Sequence, residues 1–435
     1  MFRRSSSSAA LAASAAQRGR SPLPYFLTLA LLVSAFNLGD RLLLGIVAEP
    51  IKREFGLTDT MMGLLSGTAF ALIYPPLGLP LAWLSDRFNR KNILAACLAL
   101  WSGMTALTGF AGGFVHLLVA RIGVAVGEAG FVPPTHSLIT DYVSEGRRAR
   151  AFSIIAAGAA LGSLLANVGG GYFSDLYGWR AAFLFMGLPG LALALLIAFT
   201  LKEPPRGVSA PQASGRKSVM LGLLLNPVFV LCILGSAFHL MYQYAAAAWS
   251  AAFYIRTFDA TLLEAGIFVG VGGAVATGLG GVAGGFVGDW FARRNRRWLA
   301  YWPALSVACA VPFGIAGFVS GDIRLVVISL MLSTFLNALY QSSTYALVQL
   351  QVGGNGRATA AALMIFVQNL LGLGVGPLAV GMLSDSLTGA HGVAALGLAM
   401  AGANIFNIVA AFLFVGAGAV MTPAAARPST EAQPA

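Results

Sequence analysis

The chain has 435 residues, of which 57% are hydrophobic and only 10% charged, with a mean hydropathy of +0.79. A soluble domain carries about a quarter charged residues, so this composition excludes a soluble globular protein. The apolar runs are long enough to span a bilayer as helices, whereas a β-barrel would show short alternating segments. The net charge of +11 would suggest nucleic acid on a soluble surface; here its placement along the chain gives it another meaning.

Residues 1–21, "MFRRSSSSAALAASAAQRGR" and Ser21, have an Arg-Arg-Ser start but no apolar core before Gln17 and Arg18. This reads as a disordered cytoplasmic tail and not as a twin-arginine signal. Span 1 (23–48) carries "NLGDRLLLG", which sets Asp40 and Arg41 inside an oily run. Span 2 (60–84) ends in "AWLSDRFNRK". Span 3 (92–114) is followed by span 4 (115–140), which holds Arg121 and Glu128 and then a Pro-rich stretch. Spans 5 (150–173) and 6 (181–201) complete a six-helix bundle over 22–201. A Pro-, Gly- and Ser-rich cytoplasmic linker follows over 202–220. Spans 7 (226–253), 8 (264–288), 9 (298–319), 10 (324–350), 11 (358–384) and 12 (393–418) form a second bundle over 221–420. Residues 421–435 form a second disordered tail. Cys97, Cys232 and Cys309 all fall within spans without metal-ligand spacing and read as small apolar fillers; no metal or cofactor is expected.

With the N-terminus inside, 20 of the 27 Lys and Arg residues fall on the inner side, five on the outer side (Lys52, Arg53, Arg180, Arg256, Arg324), and Arg41 and Arg121 within the membrane. This bias of four to one places both termini in the cytoplasm. The excess positive charge therefore reports topology, and no nucleic-acid partner is expected.

The two bundles look like repeats. Span 2 ends "AWLSDRFNRK" and span 8 ends "GFVGDWFARR", with Asp86 and Asp289 offset by 203 residues. Span 5 ends "GYFSD" and span 11 "GMLSD", with Asp175 and Asp385 offset by 210. A small residue, three positions and an Asp thus close the second helix of each three-helix block, as inverted repeats within parallel halves require. Small-xxx-small pairs such as Gly158/Gly162, Gly281/Gly285 and Gly372/Gly376 point to close helix crossings.

Twelve helices in two halves with "AWLSDRFNRK" after span 2 resemble the major facilitator superfamily, whose loop motif reads G-x-L-x-D-R-x-G-R-K. Leu84, Asp86, Arg87, Arg90 and Lys91 fit it, while Ala82 and Asn89 stand in for the glycines. "NLGDRLLLG" together with "RIGVAVGEAGFVPPTHSLITDYV" (121–143) resembles the Spinster family, in a bacterial member. The departure is Ala125, where relatives often have Gly. The resemblance implies an all-α alternating-access carrier with lysophospholipid or sphingosine 1-phosphate as the substrate type. It also implies that helices 1, 4, 7 and 10 line a central cavity and that the loop motif forms a cytoplasmic gate.

Asp40, Arg41, Arg121 and Glu128 are the charges deep in the membrane, and all four lie in the first half. Each would cost roughly 2.5–3.5 kcal/mol at a helix centre, so they should pair or face water. Arg121 and Glu128 are seven residues apart on one helix face, while Asp40 and Arg41 diverge by about 100° and can reach different partners. A purely structural lock is a poor explanation, because desolvation offsets the attraction in a buried pair. The functional reading makes Asp40 and Glu128 proton-coupling acids, and Arg41 and Arg121 forks for an anionic head group. In the second half, one helical face carries His239, Tyr242 and Gln243, and another carries Thr334, Asn337, Gln341 and Thr344; Gln368 and Asn369 lie on span 11. With Asn37 these are expected as polar cavity positions or, equally, as interhelical hydrogen bonds. Asp86, Arg87, Arg90, Lys91, Arg147, Asp289 and Arg293 are the expected cytoplasmic gate, and their bases also keep the loops inside.

No Gly-Lys-Ser/Thr loop is present, which excludes an ATP-driven pump, and "GVGGAVATGLGG" in span 8 follows no strand. The expectation is therefore a monomeric, multi-pass, proton-coupled exporter of an amphipathic anionic lipid in a bacterial inner membrane. The alternatives are a proton-linked carrier of small organic anions or drugs, and a lipid-handling membrane enzyme or scramblase-like protein.

Overall fold

The computed structural model describes residues 21–206, 216–353 and 356–422; both expected tails, apart from Ser21, Met421 and Thr422, and the centre of the expected linker lie outside them. The regular structure of the described residues is all helix, without a strand. Twelve long helices run in chain order: α1 (Leu23–Ile46), α2 (Asp59–Arg87), α3 (Arg90–Thr108), α4 (Phe114–Tyr142), α5 (Glu145–Tyr177), α6 (Trp179–Thr200), α7 (Pro227–Phe258), α8 (Leu262–Arg294), α9 (Trp298–Val319), α10 (Ile323–Leu350), α11 (Arg357–His391) and α12 (Ala394–Ala419). Eleven are long and apolar enough to cross a membrane. The other, α3, has 19 residues and opens on Arg90 and Lys91, which leaves a short apolar remainder. It stops at Thr108, earlier than the expected 114, because Gly109, Gly112 and Gly113 follow.

Two further helices were not expected. Ala48–Phe55 follows α1 and ends at Gly56, whose φ of 61° is left-handed. Arg216–Leu224 occupies part of the segment expected as linker.

Four of the long helices each contain one π-helical turn, at Leu64–Thr68 in α2, Leu165–Gly169 in α5, Ile267–Gly272 in α8 and Gln368–Leu373 in α11. These are the second helices of the four three-helix blocks. The turns of α2 and α8 begin 203 residues apart, and so do those of α5 and α11. A π-turn is rare, so the same defect at the same offset is a structural signature of the internal repeat. Proline sets other breaks. The α2 helix restarts at Tyr74 ahead of Pro75 and Pro76, and α4 restarts at Val132 ahead of Pro133 and Pro134, immediately after Glu128 and the turn that follows it.

The chain packs as two compact units, one of Met1–Leu43 with Ile73–Gln212 and the other of Leu44–Leu72 with Ala213–Ala435. Residues 44–72, expected within the first bundle, thus belong to the second unit. Close backbone approaches account for this: a Cβ at Gly45 would sit 2.8 Å from the Ala247 carbonyl oxygen, and one at Gly63 would sit 2.6 Å from that of Pro377.

In the first unit, α5 crosses α1 at two glycines. A Cβ at Gly158 or Gly162 would strike the carbonyl oxygens of Leu31 and Ala35. This crossing fixes the stretch of α1 that leads into Asn37, Asp40 and Arg41. Gly162→Leu is therefore expected to destabilise the protein by about 1–3 kcal/mol or more, read as a lowered melting temperature in detergent. An unchanged melt would show that α5 can retreat freely. By contrast, nothing lies within 4 Å of a Cβ at Gly281, so the expected Gly281/Gly285 pair does not mark a tight crossing.

Candidate functional site

The four deep charges converge within the first unit. Arg41 Nε lies 2.5 Å from Glu128 Oε2, and Asn37 Nδ2 donates to the same oxygen at 3.2 Å. The Arg41 guanidinium also lies over the ring of Tyr74, 4.2 Å from its centroid, a cation–π contact across to α2. Glu128 is fully buried, and its second oxygen, Oε1, accepts no hydrogen bond among the described residues. Asp40 is also buried; its carboxyl lies beside the Thr105 hydroxyl of α3 and within electrostatic reach of Arg121. Arg121 Nη1 donates to the Asp40 backbone carbonyl at 3.3 Å, and the Arg121 charge is felt by both Asp40 and Glu128.

Asp40 and Arg41 thus diverge to different partners, as their 100° separation requires. One close acid–base pair, Arg41–Glu128, joins α1 to α4. Asp40 forms no ion pair within 4 Å among the described residues. The constellation sums to zero charge when all four groups are ionised, and a carboxylate with one oxygen bonded and one bare is under-satisfied for its burial. Thr105 and Tyr74 escaped the sequence reading because neither carries charge. Only their position on neighbouring helices reveals them.

The expected polar stripes of the second half divide. His239, Tyr242 and Asn337 are buried and turn into their own unit. His239 Nδ1 pairs with Asn407 Oδ1 at 2.9 Å, Asn407 Nδ2 donates to Asn337 Oδ1 at 3.2 Å, and Asn337 Nδ2 donates to Ser333 Oγ at 3.3 Å. Ser333 also receives Tyr242 and donates to the Ala310 carbonyl at 3.1 Å. This chain links α7, α10 and α12, and Asn407 is the residue that the stripe analysis missed. Gln243 and Thr334, with Ser250, line a separate cavity of 170 Å³ among α7, α8 and α10. Gln341 is exposed, and Thr344 donates to its own helix at Tyr340. Gln368 is buried in the α11 π-turn, and Asn369 accepts from the Tyr244 hydroxyl at 3.0 Å.

Of the loop-motif residues, Arg90 is buried and central. It binds Glu203 Oε1 at 2.7 Å, the Asp141 carboxylate, Ser137 Oγ at 3.0 Å and the Pro204 carbonyl at 3.1 Å. The Lys91 amide donates to Glu203 at 3.0 Å and its ammonium to the Ala198 carbonyl at 2.8 Å. Asp86 and Arg87 are exposed. Arg87 stacks on Trp83 at 3.9 Å, and Arg206 clasps the carbonyls of Ser85, Asp86 and Phe88. Arg147, Asp289 and Arg293 are exposed, so the network expected around Arg90 forms with acids of its own unit and leaves Arg147 aside.

An ion cluster in the second unit was not anticipated. Arg256 of α7 binds Glu49 at 2.6 Å and forks onto both oxygens of Asp59 at 2.7 and 2.8 Å. Lys52 and Ser384 each reach Asp59 at 2.6 Å. Asp385 of α11 caps the start of α2, accepting from the amides of Asp59 and Thr60 at 2.9 and 2.8 Å. Counting acids as well as bases near these span ends would have exposed this cluster, since Lys52, Arg53 and Arg256 were read on one side and Glu49 and Asp59 lie in the same segment as Lys52 and Arg53.

A family model described as Major Facilitator Superfamily matches residues 29–377. The chain belongs to that superfamily: it is an integral membrane transporter, and its relatives are transporters and not enzymes. Within the superfamily, the proteins it resembles include spinster homologs. It is 28% identical over 381 residues to Protein spinster homolog 1 of Xenopus laevis, which covers 82% of this chain and 72% of that protein. A crystal structure of a bacterial homolog to the human lysosomal transporter Spinster, inward-facing and unoccupied, aligns with a TM-score of 0.84 at 28% identity, covering 91% of this chain and 97% of that one. A Mycolicibacterium smegmatis protein named MFS-type efflux pump is 34% identical over 391 residues, 89% of each chain.

Proposed function

We infer that this transporter exports an amphipathic anionic lipid, such as a lysophospholipid or sphingosine 1-phosphate, in exchange for protons across a bacterial inner membrane. It works as a monomer with both termini in the cytoplasm. The observation that carries the reading is the Arg41–Glu128 pair, its glutamate buried with one oxygen left bare. Protonation of Glu128 removes the charge that holds Arg41, and the released guanidinium fork then takes a phosphate through paired hydrogen bonds. Loss of the proton reclaims Arg41 and expels the anion, so proton and substrate compete for one arginine. Asp40 and Arg121 form the second acid–base couple of the same site, and Asn37 steadies Glu128 in either state. Tyr74 keeps the Arg41 side chain in place when Glu128 lets go. The loop residues Asp86, Arg87, Arg90, Lys91, Arg147, Asp289 and Arg293 serve the cytoplasmic gate.

Reconstituted vesicles test this directly. Uptake of a labelled lysophospholipid or of sphingosine 1-phosphate is expected to rise when a pH gradient is imposed and to fall to the protein-free rate when the gradient is collapsed. Gradient-independent movement of lipid would point to a scramblase-like activity, and a chemically altered lipid to an enzyme. A second reading, a proton-linked carrier of small organic anions or drugs, is favoured by the name of the M. smegmatis relative. Competition separates the two: a short-chain anion that displaces the lipid completely at similar concentration supports the carrier of small molecules.

A further inference from the structure

A groove of 580 Å³ runs between α9 and α12 of the second unit, lined almost wholly by apolar side chains such as Leu305, Ala308, Ala411 and Phe412. It extends along α9 from Trp298 to Pro312, about 21 Å at 1.5 Å per residue. One leaflet of hydrocarbon is about 15 Å deep, so the groove matches an acyl chain plus the start of a head group from a single leaflet.

The Trp298 end is strongly basic. Arg293, Arg294, Arg296 and Arg297 occupy four of five consecutive positions, and Asp289 is the one acid between Glu264 and Asp322. Arg297 immediately precedes Trp298 at that end. It is the cap residue of α9, and its Nη2 donates at 2.9 Å to the carbonyl of Met421, just past the end of α12. Its Nε is buried and has no hydrogen-bond partner among the described residues. An arginine that ties the ends of α9 and α12 together beside an apolar channel, in a run of four, offers the charge that a phosphate above an acyl chain requires.

We propose that the α9–α12 groove binds an anionic phospholipid, with an acyl chain between the helices and the phosphate on Arg296 and Arg297. Charge selects the occupant. A zwitterionic lipid would bring its own cation against four arginines, and free phosphate would leave the apolar channel unused. The site shares no residue with the charged constellation of α1 and α4, so it holds a resident lipid and not the transported one. It also stands whether or not that constellation is proton-coupled.

The test is lipid retention by the purified full-length protein, measured by native mass spectrometry with phosphatidylglycerol and phosphatidylcholine of identical chains. The parent is expected to retain phosphatidylglycerol about tenfold or more over phosphatidylcholine. The double variant Arg296→Gln/Arg297→Gln should lose that preference, while Arg148→Gln/Arg150→Gln, equal in charge change but on another loop, should keep it. Ala308→Trp, which fills the channel at an exposed position, should lower retention of phosphatidylglycerol with the arginines intact. Equal retention of the two lipids by the parent, an unaltered preference in the Arg296/Arg297 variant, or displacement by millimolar inorganic phosphate would overturn the proposal. Should the variants fail to fold, a photoactivatable phosphatidylglycerol on the parent decides. Labelled peptides from α9 and α12 support the site, and labelling confined elsewhere refutes it.

Discussion

Vesicles carrying the Glu128→Gln variant are expected to bind lipid head groups at every pH and to lose the response of transport to an imposed pH gradient. Glutamine keeps the size of the side chain and an oxygen for Asn37, so the local fold survives. It removes the negative charge that holds Arg41 at 2.5 Å. A charge-assisted bond is roughly twice as strong as a neutral one, so the competition for Arg41 tilts permanently toward the anion. In the parent, head-group affinity should climb as pH falls, because protonation of Glu128 is what frees the arginine. In the variant that slope should flatten, with a loss of gradient-driven uptake on the order of tenfold or more, as expected for the removal of a buried charge partner. Exchange of unlabelled for labelled lipid, which needs no net proton movement, should persist. A variant that still responded fully to the gradient would move the coupling role to Asp40 or out of this site altogether.

The second large effect is on stability. Arg256→Ala should destabilise the protein by about 3–5 kcal/mol, the cost of breaking a buried ion network from one side. The Asp59 side chain is only 1% exposed and receives two of its bonds from Arg256; Glu49, at 8%, receives another. Lys52 and Ser384 remain on Asp59 after the substitution, but they cannot reproduce a planar fork that spans two acids. Arg256→Lys should therefore recover only part of the loss. Melting temperature in detergent gives the magnitude, and hydrogen exchange gives the place. Protection should fall first in residues 48–60, which the cluster ties to α7 and α11. A melt equal to that of the parent, with unchanged exchange in that segment, would mean that the network is decorative.

The helices were legible because lipid leaves no alternative to a continuous hydrogen-bonded backbone, and because hydropathy and the small-xxx-Asp repeats mark the second helix of each block. The four deep charges were legible for the same reason: in an apolar run a charge stands out by its cost. Other features were not. Thr105 and Tyr74 are ordinary residues whose roles come from a neighbouring helix. The His239–Asn407–Asn337 chain required knowing that α7 and α10 turn these side chains toward α12. The π-turns carry no sequence code beyond one or two glycines in each, and the helix at Arg216–Leu224 begins in a stretch whose Pro, Gly and Ser content argued for a loop. The ion cluster around Arg256 was hidden by attending to bases alone.

The two offsets within the repeat differ by one heptad. The π-turns of α5 and α11 are 203 residues apart, whereas their terminal aspartates, Asp175 and Asp385, are 210 apart. Seven extra residues are close to two full helical turns, so the later copy of the helix runs about 10.5 Å further from its π-turn to its aspartate, which keeps nearly the same rotational heading. That added reach delivers the carboxylate to the first amides of α2. The two copies thus share their bends in strict register and differ beyond them by a length close to whole helical turns. Removing three or four residues there, instead of seven, would either swing the aspartate away or leave it a turn short.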